Sequence, residues 1–188
     1  GKKEEVENLA KENNIDLSKT TLIDPFTSEL TEELINELYE LRKEKGMTLE
    51  QAKELLTTDY MYYACMLVHN NLADGIVSGA CHSTANTMRP ALQIIKTAPD
   101  AKLVSTCFLM IVPNCEYGLN GTFVFGDCAI EQNPDPEKLA SIAAASSKTF
   151  ETFTGEKAIT AMLSHSTMGS AKHEHVDKVV EAVKIAKE

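Results

Sequence analysis

Leucines at helical spacing mark the clearest helix of the chain. Leu34, Leu38 and Leu41 recur every three or four residues, with glutamate and lysine between them. Gly46 then follows as a stop signal. The pattern predicts an amphipathic helix over residues 31–45.

Two further helices are predicted directly after it. Thr48-Leu49-Glu50-Gln51 is a capping box, in which a threonine and a glutamine satisfy each other's backbone N–H groups, so it predicts a helix start. Residues 59–72 are apolar around much of the helix circumference. That composition predicts a helix buried between layers.

A strand, a polar loop and a helix are predicted in succession after residue 72. Residues 73–80 have the character of a short strand, residues 81–87 are polar, and Pro90 is predicted to open a helix. The loop contains the hydroxyls of Ser83 and Thr84. A helix N-terminus with hydroxyl donors beside it attracts anions.

The same arrangement occurs again near the end of the chain. Residues 158–163 are strand-like, 164–172 form a loop of small residues, and 176–186 are helical in pattern. Both loops contain the tripeptide His-Ser-Thr, here with Ser166 and Thr167. Ligands of open α/β sheets collect beyond the carboxyl ends of strands, so the two loops are expected to face one anion. The alternative is that each loop only caps its own helix.

The remaining pattern predicts a pair of antiparallel strands and a second domain. Residues 103–112 and 122–130 are strand-like and are joined by a glycine-rich connection. Further elements are a polar helix around residues 6–10, a strand at 20–23 and a helix from Asp135 to about residue 152. A break at Ala98-Pro99-Asp100 predicts a first α/β domain over residues 1–100 and a second over 101–188.

Charge and composition exclude several classes of protein. The chain has 188 residues, 43% of them hydrophobic, and a net charge of -10, which disfavours nucleic acid and anionic membrane surfaces as partners. Its apolar stretches are shorter than the ~20 residues that cross a bilayer. Five cysteines without a C-x-x-C pair, and a charged start without a signal sequence, predict a cytoplasmic protein.

Motifs for metal and nucleotide chemistry are missing from the sequence. It contains no G-x-G-x-x-G, no P-loop, no H-E-x-x-H and no G-x-S-x-G. The run Lys172-His173-Glu174-His175 is interpreted as a solvated helix cap. No metal site is therefore predicted.

Arginine is scarce in the chain, so each arginine is a candidate for binding an anion such as phosphate. Of 18 basic residues only Arg42 and Arg89 are arginine. A guanidinium presents a rigid fork that matches phosphate oxygens. Arg89 lies in the nearly uncharged middle of the chain, beside the first His-Ser-Thr loop, whereas Arg42 lies on a charged helix where a surface role is the alternative.

Three segments of the chain resemble the phosphate acetyltransferase family. They are ADGIVSGACHSTANTMRPALQIIKTAP, FLMIVPNCEYGLNGTFVFGDCAI and AMLSHSTMGSAK, and the likeness extends to LYELRKEKGMTLEQA. The resemblance implies two α/β domains of the isocitrate and isopropylmalate dehydrogenase architecture, incomplete in this chain. It also implies a homodimer that interconverts acetyl-CoA plus phosphate with CoA plus acetyl phosphate in acetate metabolism, with no cofactor besides these substrates.

The resemblance also implies roles for individual residues. Arg42 and Arg89 match the phosphate-binding arginines of the family. Cys115 matches a reactive cysteine near the CoA pocket. The segments containing Ser83, Thr84, Ser166 and Thr167 match loops that line the cleft.

The chain departs from the family in length and at two positions. Similar enzymes are longer at both ends, and the aspartate proposed as base for the CoA thiol belongs to a C-terminal part that this chain lacks. Met168 stands where the family usually has lysine, and Gly126 where it usually has alanine. The chain is therefore predicted to be an internal fragment and inactive by itself. Phosphate butyryltransferase and a noncatalytic phosphate- or CoA-binding piece are the alternatives.

Overall fold

Helices supply most of the regular structure of both halves of the chain. The computed structural model describes residues 1–99, 101 and 103–188. In chain order the elements are α1 (Lys3–Glu12), α2 (Thr31–Arg42), α3 (Leu49–Thr58), α4 (Tyr60–His69), α5 (Thr84–Ile94), β1 (Cys107–Ile111), β2 (Thr122–Gly126), α6 (Pro136–Thr154) and α7 (Glu174–Ile185). A 3₁₀ turn, Lys43–Lys45, follows α2.

The chain folds as two compact units, a first unit over Gly1–Lys96 and a second unit over Thr97–Glu188. The domain bounds of 1–100 and 101–188 stay a prediction, and their boundary residue Asp100 lies outside the described residues.

The core of the first unit confirms the helices predicted over its middle. Leu38 of α2, Leu56 of α3, Met66 of α4 and Ile94 of α5 are among its most deeply buried side chains. Truncating a side chain of this kind costs about 2–5 kcal/mol, because lost burial and a residual cavity add together. The apolar circumference of α4 reflects its position inside this cluster.

The capping box before α3 is confirmed. The backbone N–H of Gln51 donates to Thr48 Oγ1 at 3.2 Å, and that of Thr48 donates to Gln51 Oε1 at 3.0 Å. These bonds satisfy two donors that a helix start leaves unpaired.

The predicted start of α5 at Pro90 is wrong. The helix begins at Thr84, and the Ser83 side chain caps it by accepting a hydrogen bond of 3.2 Å from the Asn86 N–H. Pro90 is buried inside the helix. A serine cap satisfies the first turn, and the proline then removes only one hydrogen bond from the interior. Thr84 is therefore the first helical residue and not a loop residue.

The predicted antiparallel strand pair is confirmed, but both strands are shorter than predicted. Cys107 pairs with Gly126 at one end of the β1–β2 ladder, and Ile111 pairs with Thr122 at the other. Gly121, in the connection, has a φ of 83°, and a Cβ there would lie 2.1 Å from the carbonyl oxygen of Val112. The tight return of the chain requires a glycine at this position.

Three predicted strands are wrong. Residues 20–23, 73–80 and 158–163 contain neither helix nor strand, and β1 and β2 form the only sheet in the described part of the chain. Val77 and Ile159 are fully exposed. A strand needs a hydrogen-bonded neighbour, which alternating apolar residues alone do not supply.

The two helices of the second unit are capped by residues that the sequence analysis placed at their starts. Asp135 accepts a hydrogen bond of 2.8 Å from the Lys138 N–H at the start of α6. The ring of His173 accepts one of 3.1 Å from the His175 N–H at the start of α7. The interpretation of the Lys172–His175 run as a helix cap is confirmed.

Candidate functional site

Arg89 lies on the exposed face of α5. It is exposed to solvent, one residue before the buried Pro90. Gln93 follows it by four residues and therefore lies on the same face of the helix, one turn further along.

Tyr62 of α4 connects this face to the core of the first unit. Its ring is buried, with 6% of its surface exposed. Its hydroxyl donates a hydrogen bond of 2.8 Å to Gln93 Oε1. Burial raises the pKa of Tyr62, and the positive charges of Arg89 and Arg42 oppose that rise. Both arginines of the chain thus lie within electrostatic range of one hydroxyl group.

Arg42 is the last residue of α2 and is half-buried. Its Nε atom is buried and has no hydrogen-bond partner among the described residues. A buried donor without a partner costs about 1–3 kcal/mol, so such atoms are uncommon in folded proteins. The phosphate role and the surface role of Arg42 both stay predictions.

A cysteine, a histidine and a carboxylate lie in succession beside the start of α5. The Sγ of the exposed Cys81 is 3.4 Å from His82 Nδ1. The other ring nitrogen, Nε2, is 3.9 Å from Asp59 Oδ1. Asp59 itself caps α4, because its Oδ1 accepts a hydrogen bond of 2.9 Å from the Met61 N–H.

The second His-Ser-Thr loop is held by its own hydroxyl groups. Ser166 Oγ accepts a hydrogen bond of 3.0 Å from the Ala171 N–H, and the Thr167 N–H donates to Ser170 Oγ at 3.0 Å. Met168 is fully exposed at a φ of 51°. A surface cavity of about 300 Å³ is lined by this loop and the valine face of α7.

Cys115 lies on the connection between β1 and β2. It is half-buried, and its Sγ is 3.9 Å from the carbonyl oxygen of Tyr117. Cys115 belongs to the second unit, as do Ser166 and Thr167, whereas Ser83 and Thr84 belong to the first. The expectation that both loops face one ligand stays a prediction.

Asp127, directly after β2, is a carboxylate that accepts four hydrogen bonds. Burial acts to raise its pKa, but hydrogen bonds from Ile130, Ala129 and Thr106 outweigh burial and hold the pKa well below its usual range. Thr106 contributes both its backbone N–H, at 3.1 Å, and its hydroxyl, at 2.7 Å. The carboxylate therefore ties the residue before β1 to the residues after β2.

Sequence reasoning missed Tyr62, Gln93 and Asp59. Tyr62 was hidden in an apolar helix, where a tyrosine is indistinguishable from core. The spacing of Gln93 four residues after Arg89 was a signal that could have identified it. Asp59 was not detectable, because only the fold places it beside His82.

Neither a metal cluster nor a membrane-spanning helix is found in the described part of the chain. Among residues 1–99, 101 and 103–188, no group of three or more His, Cys, Asp or Glu side chains has a geometry that could hold a metal ion. The helices in that same part of the chain all lack the length and apolar character needed to cross a bilayer.

Helices together with an antiparallel strand pair make this an α/β protein. The chain belongs to the family described as phosphate acetyl/butaryl transferase, whose model matches residues 1–188.

Individual relatives of the chain are members of the same family. The chain is 53% identical over 188 residues to a phosphate acetyltransferase of Acetivibrio thermocellus, and the match covers all of this chain and 56% of the relative. It is 52% identical over 187 residues to a phosphate acetyltransferase of Thermoanaerobacterium thermosaccharolyticum, again with 56% of the relative covered. The chain thus spans about half the length of these curated relatives.

Solved structures give the same result. The EutD phosphotransacetylase from Staphylococcus aureus matches all of this chain and 54% of its own, with a TM-score of 0.84 and 47% identity. A phosphotransacetylase from Streptococcus pyogenes matches all of this chain and 55% of its own, with a TM-score of 0.82 and 42% identity.

Proposed function

We propose that the protein carrying this chain is a phosphate acetyltransferase, which interconverts acetyl-CoA plus phosphate with CoA plus acetyl phosphate. The observation that carries the proposal is the buried Nε of Arg42, a donor without a hydrogen-bond partner among the described residues. The names of the relatives, which specify acetyl transfer, support it.

The two arginines have the chemistry that this reaction needs. The CoA thiolate attacks the carbonyl carbon of acetyl phosphate, the bond from carbon to the phosphoryl oxygen breaks, and phosphate leaves with its charge. Guanidinium groups that are already in place stabilise that charge as it develops. Arg42 offers a buried Nε donor without a protein partner among the described residues, and Arg89 offers an exposed guanidinium.

Hydroxyl-bearing turns are proposed to complete the substrate site. Ser83 and Thr84 lie at the start of α5, where backbone N–H groups favour anions. Ser166 and Thr167 lie in the loop that borders the cavity beside α7. Cys115 is proposed to lie near the CoA pocket, as the family resemblance implies.

None of these residues is assigned as the base for the CoA thiol. A free thiol has a pKa near 8.5 and needs a base or a positive field to react quickly. The 188-residue chain alone is therefore proposed to be inactive, and a noncatalytic piece that binds phosphate or CoA is the alternative. Titration of this chain with CoA and with phosphate, together with a turnover assay, tests this, and turnover at the rate of the complete protein would contradict it.

The architecture and assembly of the complete protein are part of the proposal. We expect two domains of the isocitrate and isopropylmalate dehydrogenase type, a homodimer, a cytoplasmic location and no cofactor besides the two substrates. The structure of the complete protein and sedimentation in solution test the first two expectations.

Substitution of the arginines tests the phosphate assignment. In the complete protein, Arg42→Ala and Arg89→Ala are each expected to lower turnover of acetyl phosphate with CoA about 100-fold, which corresponds to the 2–4 kcal/mol of a lost charge-stabilising contact. Lys43→Ala is the matched control, because Lys43 is exposed and paired with Glu40. Full turnover in both arginine variants would refute the assignment.

Acyl-chain preference separates acetyl from butyryl transfer. Acetyl, propionyl and butyryl phosphates are compared at equal concentration with CoA in excess. The highest kcat/KM is expected with acetyl phosphate, and a preference for butyryl phosphate would assign the protein to phosphate butyryl transfer instead.

A further inference from the structure

A thiol and an imidazole lie in contact outside the groups assigned to acetyl transfer. Cys81 is exposed, and its Sγ is 3.4 Å from Nδ1 of His82. A ring nitrogen at this distance can accept the proton of the thiol. A nucleophile within hydrogen-bond reach of a base is the arrangement that activates cysteine for covalent chemistry.

Asp59 places a carboxylate near the imidazole, at a distance longer than a hydrogen bond. Its Oδ1 lies 3.9 Å from His82 Nε2, and the hydrogen bond from Met61 N–H fixes the carboxylate at the start of α4. A carboxylate beside Nε2 favours the tautomer that carries its proton there. Nδ1 then presents its lone pair to the thiol.

The other four cysteines have different surroundings. Burial raises the pKa of Cys65 to about 11. The pKa of Cys107 is raised by burial and by the nearby Cys128 and Asp127. Cys115 faces a carbonyl oxygen, and Cys128 Sγ faces the hydroxyl of Thr106. Within the described residues, Cys81 is the one cysteine whose sulfur contacts a ring nitrogen.

We infer that Cys81 is an acyl-accepting nucleophile, with His82 as its base and Asp59 as a positioning residue, and that acyl phosphate is the donor. The identity of the donor rests on the proposed function. Arg89 supports it, because this residue lies five positions after Thr84 on α5, about 7.5 Å along the helix axis. Helical side chains lean towards the N-terminus, which for α5 is the end that follows Cys81.

The step balances without an oxidant or a reductant. The thiol proton passes to His82 Nδ1, and the sulfur attacks the carbonyl carbon of the acyl phosphate. A carbon–sulfur bond forms while the bond between that carbon and the phosphoryl oxygen breaks. The leaving phosphate takes the proton from His82, so that the products are a Cys81 thioester and inorganic phosphate.

Acylation without CoA tests the inference. The complete protein is incubated with acetyl phosphate, and peptide mass spectrometry follows an added acetyl group at each of the five cysteines. The acetyl group is expected first on Cys81 and last on Cys65. Cys81→Ser removes this labelling, and Cys128→Ser, at a half-buried cysteine of the second unit, leaves it unchanged.

Two variants test the roles of the neighbouring residues. His82→Asn is expected to slow acylation of Cys81 about 100-fold, the lower end of the contribution of a general base. Asp59→Asn keeps the cap of α4, because asparagine caps as well as aspartate. It is expected to lower the rate several-fold and to alter its pH profile, whereas a purely structural role of Asp59 would leave both unchanged.

Alkylation by iodoacetamide gives a reading that does not depend on acetyl transfer. Cys81 is expected to react faster than Cys115, and His82→Asn is expected to remove the difference. A protein that makes acetyl-CoA but carries no acetyl group on Cys81 overturns this inference alone. A protein that acylates Cys81 but makes no acetyl-CoA overturns the proposed function and keeps this inference.

Discussion

The hydroxyl of Tyr62 donates a hydrogen bond to the side-chain oxygen of Gln93, one helical turn beyond Arg89. The bond joins the buried α4 to the exposed face of α5. It fixes the surface from which Arg89 extends, while the charge of Arg42 acts on the same hydroxyl. A core residue is thereby connected to the helix face that carries Arg89.

Tyr62→Phe is expected to separate positioning from stability. Loss of the hydrogen bond lowers the free energy of unfolding by about 1 kcal/mol. It also removes the bond that holds Gln93, which lies on the same helix face as Arg89. KM for phosphate is therefore expected to rise several-fold in steady-state assays of the complete protein.

Tyr63→Phe is the matched control for this change. Tyr63 is buried on the same helix, and its hydroxyl is 3.1 Å from Thr31 Oγ1. It is expected to lose similar stability with no change in KM for phosphate. Equal KM values in both variants would show that the Tyr62 hydroxyl has no positioning role.

Asp127 is expected to make stability depend on pH in the acid range. Its folded pKa lies below the value of about 3.9 in an unfolded chain. The stabilisation is therefore fully present above the unfolded pKa and is lost as the pH falls towards the folded pKa. Thermal melting from pH 7 to pH 3 is expected to show a smaller fall in Tm for Asp127→Asn than for the unsubstituted protein.

Asp127→Asn is also expected to lower Tm at pH 7, because a carboxylate that accepts four hydrogen bonds is lost. Asp135→Asn serves as the control, since asparagine keeps the cap of α6. The explanation fails if the two variants melt alike at every pH.

Gly126 and Ser146 are expected to be coupled. A Cβ at Gly126 would lie 2.2 Å from Ser146 Oγ but 3.5 Å from Ser146 Cβ. Gly126→Ala is therefore expected to cost about 1 kcal/mol in urea unfolding, as overpacking does, and addition of Ser146→Ala is expected to restore stability. Ser146→Ala alone is the control and is expected to be nearly neutral. Additive effects of the two changes would exclude the contact.

Gly121→Ala is expected to be much more damaging than Gly155→Ala. Both glycines have positive φ, 83° and 73° respectively, so both substitutions strain the backbone by about 1–2 kcal/mol. At Gly121 the new Cβ also meets the Val112 carbonyl at 2.1 Å, whereas at Gly155 nothing lies within 4 Å. Thermal melting of the two variants measures the difference, and similar Tm values would contradict the proposed close approach.

The helices of the first unit were predictable because their signals are local. The leucine spacing of α2 and the capping box of α3 act within a few residues of sequence, and both predictions are confirmed. The start of α5 was placed six residues late, because a proline was given more weight than the serine that caps the helix. Both errors and successes thus follow from short-range rules.

The strands were less predictable for the opposite reason. β1 and β2 could be recognised because a short glycine-rich connection brings them together. Residues 73–80 and 158–163 carry the same apolar pattern, but they form no ladder with another described segment. A strand depends on a partner that its own residues do not specify.

By itself the sequence determined most of the helices, the family and the two arginines worth examining, because periodicity, caps and rare residue types are properties of neighbouring positions. Only the tertiary structure decided that Tyr62 lies in the field of both arginines and that Asp59 reaches the ring of His82. These pairings arise from packing of α4 against α5 and its preceding loop, where the distance between side chains is set by the shared core and not by separation along the chain.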